Sequence, residues 1–141
     1  MFELNQVLSK DTIALGDMPL SRVLLMNDSN YPWFILVPRQ NNIQEIYELE
    51  KKQQEQLLKE SCFLGKAIMQ HFNGDKLNIA TIGNIVPQLH LHHIVRFTYD
   101  IAWPKPVWGS HPRQSYKTET IETIKAEINA LLMTKLNYHL C

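Results

Sequence analysis

A chain of 141 residues, 45% of them hydrophobic and 20% charged, is sized for one domain with a core of its own, and residues 1–141 read as a single domain. Its 14 basic and 14 acidic residues cancel, which excludes the broad cationic surface of a general nucleic-acid or anionic-membrane binder and makes any phosphate chemistry local. Met1 to Leu20 carries Glu3 and no continuous apolar run, and no stretch is long enough to span a bilayer, so a cytoplasmic protein without a signal peptide is expected.

In chain order, Ser21 to Met26 reads as a strand, the turn-rich Asn27 to Pro32 follows, and Trp33 to Pro38 is a second strand, which together predict a hairpin. From Leu49 to Phe72 the residues Leu57, Ser61, Leu64, Ile68 and Phe72 recur at helical spacing until Asn73-Gly74-Asp75 breaks the pattern, which predicts the longest helix. Leu77 to Ile82 predicts a third core strand ended by Gly83-Asn84, and Pro87 to Phe97 a fourth. The segment Trp103-Pro104-Lys105-Pro106-Val107-Trp108-Gly109 cannot be regular structure, and Thr120 to Leu132 returns to helical spacing, so residues 98–141 hold a proline- and tryptophan-rich segment and a closing helix. Cys62 and Cys141 lack zinc-ligand spacing and agree with a reducing compartment.

Gln88-Leu89-His90-Leu91-His92-His93-Ile94 carries the functional signal. On a strand, Gln88, His90 and His92 share one face while Leu89, Leu91 and His93 share the other, and neighbouring imidazoles on one face have Cα atoms roughly 6.5 Å apart. Three uses fit two such rings. Packing would require partners for two nitrogens on each ring. A metal would take two nitrogens from His-x-His, but no cysteine pair or further ligand stands nearby in sequence. A phosphate fits the gap, and because two cationic rings disfavour each other, one neutral and one protonated imidazole are expected near neutral pH, dividing the pair into nucleophile and acid.

The same residues resemble the histidine triad motif, His-φ-His-φ-His-φ-φ with φ apolar, with Gln88 at the first triad position. Other features fit that family in order: the strand Val23 to Met26 ending in Asn27, the strand Ile35-Leu36-Val37-Pro38, the long helix, and Asn78 and Gly83 ahead of the triad, a resemblance spanning roughly Arg22 to Phe97. The Ala102 to Gly109 segment also looks like the tail of a bacterial branch in which a first-position Gln is familiar. The resemblance implies an α+β domain, an antiparallel sheet of about five strands with one long helix and a C-terminal helix, usually paired edge to edge as a homodimer. It implies cleavage or transfer at the α-phosphorus of a small nucleotide, without cofactor or metal. His90 would be the nucleophile, His92 a ligand of the phosphate or leaving group, and Gln88 an orienting amide that cannot titrate. Asn27 would lie near the ribose hydroxyls, with Asn78 and Gly83 near the phosphate. Pro32-Trp33 stands where many members carry Gly-His, and a nucleotide-binding regulatory module with little turnover is the competing reading. Trp103 and Trp108 are expected to pack their loop onto the core, and His71 to meet the carbonyls at its helix end.

Overall fold

In a computed structural model, which describes residues 1–134 and 137–141, the chain opens with a short helix α1 (Gln6–Asp11). Asn5 caps it, its side chain accepting from the Val7 N–H at 2.8 Å. Then follow β1 (Thr12–Asp17), β2 (Ser21–Met26), β3 (Trp33–Pro38), α2 (Lys51–Phe72), β4 (Lys76–Ala80), β5 (Leu91–Arg96), α3 (Thr118–Leu132) and β6 (His139–Leu140). The strands form one antiparallel sheet in the order β4-β5-β3-β2-β1-β6. The α+β architecture, the hairpin and both helices stand as the residue pattern places them, with six strands among the described residues instead of about five.

Two strands carry too little pattern to be read from sequence. β1 holds a bulge between Ala14 and Gly16, which breaks the two-residue alternation. Gly16 has no side chain because the Tyr138 ring and the His139 carbonyl lie against it. β6 is two residues long and pairs only with Gly16 and Asp17. The expected core strand at Leu77 to Ile82 is instead an edge strand ending at Ala80, where Ile79 is 49% exposed. Edge position gives it one partner, so the segment beyond Ala80 leaves the sheet and is free to loop over its face.

Alternation divides the sheet into two covered faces. On one, Val23, Leu25, Phe34, Leu36, Leu91 and Val95 pack on Leu57, Leu64 and Ile68 of α2 and on Ile124, Ile128 and Leu132 of α3. Phe34 meets Phe72 with ring centroids 6.0 Å apart, a contact worth about 1 kcal/mol beyond its area. Asn73, at φ 52°, takes the left-handed conformation that stops α2 where the sequence predicts. On the other face, Leu24, Trp33, Ile35, Val37 and Ile94 are covered by Leu8 of α1, by Val86, and by Ala102 and Val107. That covering is made of short segments rather than a helix layer, and a cleft opens between them.

Candidate active site

β5 begins at Leu91, so Gln88 to His90 belong to the loop that descends from β4 and not to the strand the alternation predicts. His90 and His92 nevertheless come together, with ring centroids 4.8 Å apart, both about 95% buried by residue surface. They sit at the floor of a cleft of about 370 Å³, walled by Val7, Leu8 and Asp11 of α1, Met26, Trp33, the loop residues Ile82, Asn84, Ile85 and Val86, and Trp108. That volume and the mostly apolar wall with a few convergent polar groups suit a small-molecule ligand. Somewhat larger hollows, of about 530 and 570 Å³, lie beside Trp103 and beside the N-terminal residues, but neither contains His90 or His92.

Hydrogen bonds fix which nitrogen of each ring carries a proton. His90 Nδ1 lies 2.6 Å from the Gln88 carbonyl oxygen, which can only accept, so Nδ1 is the protonated atom and Nε2 of the neutral ring is a bare lone pair. His92 is the reverse. The Trp33 indole N–H donates to His92 Nδ1 at 3.0 Å, so Nδ1 must accept and the proton sits on Nε2, a buried atom that faces the Ile82 backbone without a well-formed hydrogen bond. His93 points to the opposite face, where Nδ1 donates to the Leu91 carbonyl at 3.1 Å and Nε2 accepts from the Ser61 hydroxyl at 2.7 Å.

Burial lowers the pKa of His90, against a smaller opposing effect of its bond to the Gln88 carbonyl. Burial chiefly, with the charges His90 and His93 would carry, brings His92 down to about 3, the Ile82 backbone opposing. Burial brings His93 to about 4. The expected pair of one neutral and one protonated ring is therefore replaced by two neutral rings. Desolvation outweighs the modest gain of a single cation here, and a proton on His92 Nδ1 would point at the Trp33 N–H. Complementarity comes from tautomers, a lone pair on one Nε2 beside an N–H on the other.

The remaining expected site residues fall differently. Gly83 lies beside the pair: a Cβ there would stand 3.8 Å from His90 Cε1 and 2.9 Å from the Val86 carbonyl oxygen, so the loop closes over the ring only without a side chain. Asn27 does not line the cleft. Its Oδ1 accepts from the Tyr116 N–H at 2.9 Å, tying the hairpin turn to the segment before α3. Asn78 Oδ1 accepts from Arg96 Nη1 at 2.9 Å, and the residue likewise lies outside the cleft lining. Arg96 is 1% exposed, forms two hydrogen bonds with the Asp100 carboxylate, and has the Tyr31 and Trp103 rings at 5.7 Å. Asp100 also accepts from the Phe97, Ala102 and Trp103 N–H groups, so this buried pair sets the course of the proline-rich segment that carries Trp108 to His92, ring centroids 5.1 Å apart. Trp103 lies against the Arg96 guanidinium, whereas Trp108 packs on the core as expected and also walls the cleft. His71 bonds to Glu127 on α3 at 3.0 Å instead of to helix-end carbonyls. Gln88 turns its amide away from the pair and toward the N-terminal residues.

The wall supplied by α1 was not legible. Asn5, a helix-capping residue, is the one signal that would have announced it. No group of three or more His, Cys, Asp or Glu side chains among the described residues is placed to hold a metal ion. None of the described helices is long and apolar enough to cross a membrane.

The fold and the imidazole pair agree with what the chain resembles. The HIT domain model matches residues 8–99. A histidine triad protein from Marinobacter aquaeolei VT8 superposes with a TM-score of 0.92 at 53% identity, over 94% of this chain and 97% of that one. Similar proteins from Bradyrhizobium japonicum and Sinorhizobium meliloti 1021 give TM-scores of 0.90 and 0.89 at 43% and 38% identity, over 92% and 91% of this chain and 96% and 95% of theirs. The chain belongs to the histidine triad family. No curated protein matches it. Family membership supports nucleotide binding and hydrolase or transferase chemistry in general.

Proposed function

We propose that the cleft cleaves a nucleotide at its α-phosphorus through a nucleotidyl-histidine intermediate on His90. The observation that carries this reading is the bare Nε2 lone pair of His90 beside the Nε2–H of His92, which no well-formed hydrogen bond occupies. In the first step the His90 lone pair forms a P–N bond while the bond to the leaving group breaks, its electron pair departing with that group. His92 Nε2–H donates to a non-bridging phosphoryl oxygen. The phosphorylated His90 ring is cationic with Nδ1 still protonated, and its bond to the Gln88 carbonyl becomes charge-assisted. Water then attacks phosphorus, the P–N pair returns to His90, and a nucleoside monophosphate and a proton are released.

Neither ring of the pair is held protonated near neutral pH, which favours leaving groups that depart without a proton. An acid anhydride, as in a dinucleoside polyphosphate or an adenylyl sulfate, fits this better than the amine of a phosphoramidate. Single-turnover mixing with each of these three, quenched in base, tests both points. Nucleotide bound to His90 in a base-stable adduct is expected, faster from the anhydrides, and absent in His90→Ala while nucleotide affinity stays within about tenfold. Saturable binding without release would make the protein a binding module, and stoichiometric zinc with activity lost to EDTA would assign the rings to a metal. Pairing of two copies through the β4 edge is supported by that edge's unpaired outer backbone and exposed Ile79. A monomer in light scattering at micromolar concentration would overturn it.

A further inference from the structure

Gln88 performs two tasks at once. Its backbone carbonyl holds His90 Nδ1–H at 2.6 Å, while its side-chain amide accepts from the Asn5 N–H and donates to the Glu3 carbonyl, both at 2.9 Å. Asn41, on the loop after β3, makes a similar pair of bonds one step further out: it accepts from the Glu3 N–H at 3.2 Å and donates to the Met1 carbonyl at 2.8 Å. Two side-chain amides thus bind the backbone of residues 1 to 5 much as a neighbouring strand would. This arm leads directly into α1, whose Val7, Leu8 and Asp11 form one wall of the histidine cleft, and Asp11 is the one carboxylate in that lining.

We infer that Gln88 is a positioning residue acting through the N-terminal arm: its amide fastens the arm so that α1 closes the nucleotide cleft, with Asn41 as the second fastener. A histidine at position 88 offers one donor and one acceptor on a rigid ring. The amide offers them on one planar end, which suits the N–H and C=O of a backbone two residues apart. The fastening keeps the wall next to the nucleophile because the same residue grips both.

The test uses full-length protein and the variants Gln88→Ala and Asn41→Ala, the second lying outside the loop that holds His90. Hydrogen exchange followed by NMR reads the arm without any ligand. Exchange at the Asn5 amide is expected to speed up by about tenfold in Gln88→Ala, with amides of β3 and β5 unchanged, and the Glu3 amide to speed up in Asn41→Ala. The effect on affinity rests on the nucleotide reading above, and AMP is its probe. Both variants are expected to weaken AMP binding by roughly fivefold and to raise KM more than they lower kcat. Unchanged exchange at Asn5 would overturn the fastening whatever the protein binds. A loosened arm with wild-type AMP affinity, or a fall in kcat at constant KM confined to Gln88→Ala, would overturn the closing role. Wild-type protein that binds no AMP would overturn both that role and the nucleotide reading, leaving the fastening to the exchange data alone.

Discussion

Acid should unfold this protein through its buried imidazoles. His93 and His92 have folded values of about 4 and about 3 against an ordinary 6.5, so below pH 6.5 the unfolded chain binds a proton on each ring that the folded chain refuses. The stability they confer is complete above pH 6.5 and is lost as pH falls toward the folded values. From pH 7 to pH 5 the linkage amounts to about 2 kcal/mol for each ring, or about 4 kcal/mol together, a large share of a domain's stability. His90, also lowered by burial, adds in the same direction. Asp17 and Asp100 act elsewhere: burial alone would raise both, but the hydrogen bonds of Arg22 and Arg96 hold them below 3.8, so their contribution is lost only at lower pH. Urea unfolding at pH 7, 6 and 5 reads the effect, with a midpoint about 2 M lower at pH 5 for a slope near 2 kcal/mol/M. His93→Gln removes one of the two rings and should remove about half of the pH dependence, whatever it does to the midpoint at pH 7. A wild-type midpoint that moves by less than about 0.5 M, or an undiminished shift in the variant, would refute the assignment of neutral buried rings.

Trp33→Phe deletes the N–H that occupies His92 Nδ1; the ring should become easier to protonate by about one pKa unit, read from its nitrogen shifts by NMR, and no change would show that burial alone keeps it neutral. Asn27→Ala should lower stability by about 1 kcal/mol through the lost Tyr116 contact and leave nucleotide affinity at the wild-type value, and a selective loss of affinity would return Asn27 to the ligand. Gly83→Ala pushes a methyl group against the Val86 carbonyl and toward His90, so trapping of the adduct should slow by about tenfold or more, and wild-type trapping would show that the loop yields freely.

Periodicity was enough to place α2, α3, the β2–β3 hairpin and the histidine-bearing strand, because each buries one face and therefore repeats with the period of its own backbone. His90 and His92 come together although β5 starts only at Leu91, because they are close enough along the chain to stay neighbours when the first of them lies in the loop. Polar side chains obey no such rule, since a hydrogen bond is satisfied by whatever partner the fold brings within about 3 Å. The Oδ1 atoms of Asn27 and Asn78 accept from Tyr116 and Arg96, residues 89 and 18 positions away, which no local pattern announces. Glu60 on α2 is fully buried, and its carboxylate accepts from the Leu20 and Ser21 N–H groups at the start of β2. The proton on His92 was decided by Trp33, 59 positions away, and the use of Gln88 by an arm more than 80 residues earlier in the chain. What the sequence alone determined was where each face points; which polar atom answers which was decided by the long-range approach of segments that carry no repeating signal.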